Sequence, residues 1–192
     1  HGDSSHMLET ISYIRSQAPR WEGALIAGNV CTYEGAVRLF ELGADMVKVG
    51  VGPGSACTTR IKTGCGYPQL SAIIECVEAG PIIADGGIKN YGDVAKALSA
   101  GAASVMIGGL LAGTDCVPNW EEGMPVEFRG MASKKAREGC GEDGKNAEGI
   151  SLKVEGQPPG STEKVITKLL EGLRSAMSYS ACSTLNEFQV KS

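Results

Sequence analysis

Histidine is almost missing from this 192-residue chain: its two copies, His1 and His6, both stand at the N-terminal edge. That excludes a Cys–His or Ser–His pair deeper in the sequence, and a zinc site built on histidine. The seven cysteines (Cys31, Cys57, Cys65, Cys76, Cys116, Cys140 and Cys182) form no CxxC pair and are odd in number. A disulfide framework is not expected at this size, so the pattern points to a reducing, cytoplasmic setting with most cysteines as small core residues. Aromatics are scarce at 5% and the net charge is -4; neither a base-stacking platform nor a basic surface for nucleic acid is expected. No purely apolar run exceeds about five residues, too short for a membrane span. A secretory leader pattern is missing at the start, and no GxGxxG run opens a helix as a dinucleotide-binding Rossmann fold requires.

Glycine is in excess: 27 of 192 residues, about twice the usual share. The glycines fall in tight groups at the ends of short apolar runs. Strands are expected at 24–27, 46–49, 81–84 and 104–107, and helices at 34–42, 69–78 and 91–99, two of them closed by Gly43 and Gly101. Short apolar strands alternating with helices mean repeated βα units and a parallel sheet. The polar and glycine-rich residues follow the strands, at Gly28-Asn29, Gly50 to Gly54, Asp85-Gly86-Gly87 and Gly108-Gly109. Such ends converge on one face in a (β/α)8 TIM barrel. Four strands are half of eight, so residues 1–113 are expected to supply the C-terminal half of the barrel, the earlier strands preceding His1. Residues 114–160, rich in Gly, Glu, Lys and Pro without sustained periodicity, are expected to form an irregular, mobile flap. Residues 161–192 are expected to add a C-terminal helix, with Val165, Ile166, Leu169, Leu170 and Leu173 as one apolar face packed on the outside of the barrel, and a tail.

The densest group runs from Gly50 through Ser55 and Cys57 to Arg60. A glycine-rich turn after a strand exposes amides to an anion, or carbonyls to a cation. A cysteine inside such a turn is a candidate nucleophile, because nearby N–H dipoles favour the thiolate. The pairs Gly86-Gly87 and Gly108-Gly109 offer a phosphate cradle of backbone amides, and Asp85 before the first pair suits a ribose diol. Together they describe a nucleoside monophosphate site.

Three blocks closely resemble the IMP dehydrogenase/GMP reductase family. They are the run from Lys48 to Arg60 (KVGVGPGSACTTR), then Ala84-Asp85-Gly86-Gly87-Ile88, then Met106-Ile107-Gly108-Gly109. Weaker matches lie at 27–30, 128–133 and 172–175. Two features resemble the reductases: Thr63-Gly64-Cys65-Gly66-Tyr67-Pro68-Gln69-Leu70 follows their pattern, and between Ser133 and Pro159 there is one arginine, Arg137, and no tyrosine. Dehydrogenases carry an Arg-Tyr pair there to activate water. The links at 78–81 and 115–128 are shorter than is usual in the family.

The resemblance implies NADPH-dependent reductive deamination of GMP to IMP by a cytoplasmic homotetramer. Cys57 would be the covalent nucleophile, with Thr59 and Glu148 as the proton-delivering pair. It implies substrate contacts from Ser55, Asp85, Gly86, Gly87, Gly108 and Gly109 to ribose phosphate, and from Gly130, Met131, Ala132, Lys145 and Gly149 to the base. Val51 and Gly52 would meet the nicotinamide, while Ser175, Ala176, Met177 and Ser178 would reach a neighbouring subunit's cofactor. Gly52, Gly54, Cys57 and Arg60 would line a potassium site. The alternatives are IMP dehydrogenase, oxidising IMP to XMP with NAD and water, and an inactive purine-nucleotide-binding module.

Overall fold

The computed structural model describes residues 2, 4–17, 22–118, 120–121, 124–145, 147–154 and 161–191. Its central element is a four-stranded parallel sheet of β1 (Ile26–Val30), β2 (Met46–Val49), β3 (Ile82–Asp85) and β4 (Ser104–Met106), each strand paired with the next in chain order. A right-handed crossover returns each helix to the same side of the sheet, so strands added in one direction curve towards closure. A doubly wound sheet would instead reverse direction at a switch point. The crossovers carry α2 (Tyr33–Glu41), α4 (Gln69–Cys76), which a short 3-10 turn over Val77–Ala79 extends, and α5 (Tyr91–Ser99). The short α3 (Thr59–Thr63) follows the glycine-rich loop, and α1 (Ser5–Ser16) precedes β1.

Strand alternation divides the sheet. Ala27, Val47, Val49, Ile82 and Ala84 are buried and pack with Leu39, Ile73 and Cys76 of the helices and Ile11 of α1. Burial of each larger side chain contributes about 1.5–3 kcal/mol. The opposite face carries Lys48 and Asp85, with Met106 aligned beside Asp85 and 43% exposed. The register slips between Gly28 and Val30 where β1 meets β2. The slip takes Asn29 out of the ladder and re-aims its side chain, as a bulge does.

The segment after β4 is more ordered than its composition suggests. β5 (Val126–Arg129) and β6 (Ser151–Val154) pair antiparallel, and α6 (Lys134–Gly139) lies between them. Residues 119, 122, 123, 146 and 155–160 of the expected flap lie outside the described part. α7 (Thr162–Tyr179) packs on α5, burying Val165 and Leu169 against Val94 and Leu98. The expected apolar face was too wide, because Ile166 and Leu170 stay over 40% exposed. Asp115 accepts from the backbone N–H and the hydroxyl of Thr162 at 2.9 and 2.7 Å, capping α7 from the loop after β4. Those bonds hold its carboxyl below the usual range. In place of a tail, α8 (Leu185–Lys191) buries Phe188. The cysteines correct another expectation. Only Cys76 and Cys182 are buried, and Cys65, Cys116 and Cys140 are exposed. Burial pushes the Cys76 thiol up to about 12.

Candidate active site

The C-terminal ends of the four strands open into a cleft of about 480 Å³. Its walls are Asn29 of β1 and the loops that follow β2, β3, β4 and β5, closed on one side by Glu148 and Gly149. The β2 loop can enter because Gly50 has φ +151° and a Cβ there would stand 2.3 Å from the Asp85 carbonyl oxygen. No L side chain fits that approach. Cys57, the only cysteine on this cleft, follows in a turn closed by its N–H donating to the Gly54 carbonyl at 3.0 Å.

Three side chains form a line here. The Cys57 thiol donates to Thr59 Oγ1 at 3.3 Å, and the Thr59 hydroxyl donates to Glu148 Oε2 at 2.9 Å. Thr59 is 8% exposed. Glu148, 89 residues away in sequence from Thr59, is seated by its backbone. Thr58 N donates to its carbonyl at 2.8 Å, and its own N–H donates to the Ala132 carbonyl at 3.0 Å. Ile150 N adds a bond to the Ala56 carbonyl at 2.9 Å. The flap therefore crosses directly over the cysteine loop.

On the far side, Asp85 Oδ2 accepts from Lys48 Nζ at 2.9 Å and from Asn29 Nδ2 at 2.8 Å. Asn29 Nδ2 also donates to the Gly50 carbonyl at 3.0 Å. Sequence inspection put Asn29 among the converging strand ends and Lys48 in the family block, and gave neither a role in the site. A lone lysine inside a four-residue strand, and a polar residue at the bulge of β1, were the available signals.

Of the residues expected to touch substrate, Ser55, Asp85, Gly86, Gly87, Gly108, Gly109, Gly130, Met131, Ala132 and Gly149 all line the cleft. Ser55 Oγ would stand 3.0 Å from a Cβ at Gly109, so the β2 and β4 loops touch. Lys145 does not reach the cleft: its ammonium lies 3.4 Å from Asp143 at the surface, and its carbonyl accepts from Arg137 Nη1 at 2.9 Å. Asn146, next to it, lies outside the described residues. Gly52 lines the cleft and Val51 does not, its carbonyl accepting from Arg60 Nε at 3.3 Å. Ser175, Ala176, Met177 and Ser178 stand on α7 away from the cleft. Gly52, Gly54 and Cys57 line it, whereas the Arg60 guanidinium spans the Val51 and Tyr67 carbonyls. A guanidinium has no lone pair to offer a cation, so only the Arg60 carbonyl could serve as a ligand. Among the described residues no group of three His, Cys, Asp or Glu could hold a metal ion, and no helix is long and apolar enough to cross a membrane.

All 192 residues match the family model described as IMP dehydrogenase / GMP reductase domain. The chain belongs to that family. Among its relatives are inosine-5'-monophosphate dehydrogenases of Aquifex aeolicus, 44% identical over all of this chain and 42% of the relative, and of Bacillus subtilis, 44% identical over 93% of this chain and 39% of the relative. A solved GMP reductase from Trypanosoma brucei, a cysteine-to-alanine variant in complex with guanosine 5'-monophosphate, superposes on the whole chain with a TM-score of 0.91 at 36% identity, covering 42% of that chain. The fold is accordingly part of the TIM barrel of this family of purine-nucleotide enzymes. The chain spans about two fifths of the length of the relatives it matches.

Proposed function

We propose that the protein of which this chain is part converts GMP to IMP and ammonia, using NADPH. The observation that carries this reading is the Cys57–Thr59–Glu148 line. The Cys57 thiolate would attack purine C2, forming the C2–S bond. The C2–N bond breaks as a proton passes to the departing amine, giving a thioimidate on Cys57 and ammonia. Thr59 stands where it can hand over that proton, and Glu148 makes its hydroxyl a competent relay; a neutral alcohol alone is a poor acid. When bound, the reduced nicotinamide supplies the hydride to C2. The C2–S electrons return to Cys57 as IMP departs.

Deamination of this kind needs no activated water. Arg137, the one arginine of the flap, is held 2.9 Å from Glu142 and donates to the Lys145 carbonyl. It is committed to the flap's own structure. No tyrosine lies between Ser133 and Pro159. The second reading, IMP oxidation to XMP with NAD and water, is favoured by the names of the curated relatives. The two are separated by incubating the full-length protein with GMP plus NADPH and with IMP plus NAD, following absorbance of the reduced cofactor. Loss of signal in the first mixture and none gained in the second is expected; the opposite result establishes the dehydrogenase.

Within the cleft, the oxygen of Asp85 that neither Lys48 nor Asn29 touches would accept from the ribose hydroxyls. Gly130, Met131, Ala132 and Gly149 would frame the base. The hard carbonyl oxygens of Gly52, Gly54, Cys57 and Arg60 suit a monovalent cation such as potassium, which would order this loop. Gly52 would border the nicotinamide. Ser175 to Ser178, being remote from this cleft, would act on a cofactor held by another subunit of a homotetramer.

Glu148→Gln is expected to lower turnover by about 10²-fold with little change in GMP affinity, the usual scale for a positioned acid–base group. Asp143→Asn, a change at a flap acid that only faces Lys145 at the surface, is the control and should keep wild-type turnover. Steady-state rates and calorimetric GMP binding check both; wild-type activity in Glu148→Gln removes the Thr–Glu relay.

A further inference from the structure

We propose that Lys62 is a positioning residue, clamping the flap so that Glu148 faces Thr59. Lys62 stands three residues after Thr59 on α3, so the two side chains share one face of the helix. Both reach the flap at consecutive residues: Thr59 donates to the Glu148 carboxylate, and the Lys62 ammonium donates to the Ala147 carbonyl. One turn of helix thereby grips the residue before the acid by its backbone and the acid itself by its side chain.

Which atom Lys62 holds matters. An ammonium on the carboxylate would compete with the Thr59 hydroxyl and tie the acid into an ion pair. Holding the neighbouring carbonyl, it fixes the chain direction and leaves Glu148 Oε2 to Thr59. The carbonyl two residues upstream is held in the same manner, since Arg137 Nη1 donates to Lys145 at 2.9 Å. Two cations from separate elements thus hold backbone carbonyls ahead of Glu148. The arginine belongs to the flap and moves with it. Lys62 belongs to the cysteine loop's own helix, so its bond joins those of Thr58 N, Ile150 N and the Thr59 hydroxyl in tying flap to nucleophile. It does so from the surface, where no core packing depends on it.

The kinetic part of this proposal rests on Glu148 acting as the acid–base partner; the structural part does not. The test uses the full-length protein with Lys62→Met and Lys62→Arg. Amide exchange is read by mass spectrometry over peptides containing 147–154 and 56–60, where Thr58 N and Ile150 N hold the flap. In Lys62→Met these amides are expected to exchange about tenfold faster, as local opening becomes easier, with the strand and helix peptides unchanged. Turnover should fall by about tenfold and KM for the nucleotide by less than about twofold, since a charge-assisted hydrogen bond is lost away from the binding groups. Lys62→Arg, which keeps the donor, should restore both. Adding Lys62→Met to Glu148→Gln should cost nothing further, because the clamp acts through that carboxylate. Unchanged exchange in Lys62→Met overturns the clamp. Faster exchange with wild-type turnover overturns the positioning role. If GMP proves not to be the substrate, the Glu148 assignment falls with it, and the exchange measurement still decides the clamp.

Discussion

Cys57→Ala in the full-length protein is expected to lower turnover by at least about 10³-fold, since the C2–S bond has no substitute nucleophile. GMP affinity should change by less than about threefold, because binding is assigned to backbone groups elsewhere in the cleft. The same substitution at the other cysteines should leave turnover largely intact. Cys57 alone of the seven lines the cleft, although Cys116 and Cys140 line an adjoining one of about 600 Å³. Alkylation cannot stand in for this experiment. Cys65, Cys116 and Cys140 are exposed, and side-chain hydrogen bonding with Thr114 and Thr162 draws the Cys116 thiol below its ordinary range, so that thiol should label readily whether or not nucleotide is bound. Retention of a tenth of the wild-type rate in Cys57→Ala removes covalent catalysis through it.

Guanosine is expected to bind at least about 10²-fold more weakly than GMP. Each amide hydrogen bond to a charged oxygen contributes about 1.5–3 kcal/mol, and Ser55, Gly87, Gly108 and Gly109, which line the cleft, are the residues proposed to supply them. Two of the cations near the cleft are engaged, Lys48 with Asp85 and Arg60 with two carbonyls, while Lys89 and Arg129 line it. On the proposed reading the phosphate is held by oriented N–H groups, whose dipoles need no counter-charge and survive salt better than an exposed ion pair to Lys89 or Arg129 would. Calorimetry with both ligands at two salt concentrations checks this. Equal affinities for guanosine and GMP, or a steep loss of GMP binding with salt, contradict an amide cradle.

Lys48 and Asn29 recast the role expected for Asp85. A carboxylate held on one oxygen by an ammonium and an amide is fixed in rotamer before any ligand arrives. The ribose contact proposed for it would thus depend on two side chains from β1 and β2 as well as on its own identity. The pair is only partly screened, with about a quarter of each side chain exposed, so its main contribution is orientation rather than stability.

Much of this was legible in the residues. Short apolar strands recurring between amphipathic helices determine a parallel βα sheet, because both periodicities are local properties of the chain. Where the glycine groups stand also determined which ends of the strands carry the cleft, and the block from Lys48 to Arg60 marked the family. The other expected strands and helices fell within one or two residues, as at β2 and α5, whereas β1, expected at 24–27, runs from Ile26 to Val30. The weakly amphipathic pieces escaped. β5 and β6 alternate with Glu127, Arg129 and Lys153 among their few apolar residues, and no short turn joins them, so neither burial contrast nor hairpin spacing announced a ribbon. α3 has five residues and α8 buries a single phenylalanine, too little for a periodic signal.

Only the tertiary structure decided what depends on chain closure. Glu148 meets Thr59, Lys48 and Asn29 meet Asp85, and Lys62 meets Ala147 across sequence separations of 89, 37, 56 and 85 residues. No local pattern encodes such distances; the register of a parallel sheet and the path of the flap set them. Lys145 and Glu148 stand three residues apart in one stretch of flap, yet only Glu148 lines the cleft. A charged residue's side is chosen by the partner within reach, and for Lys145 that partner is Asp143 at the surface.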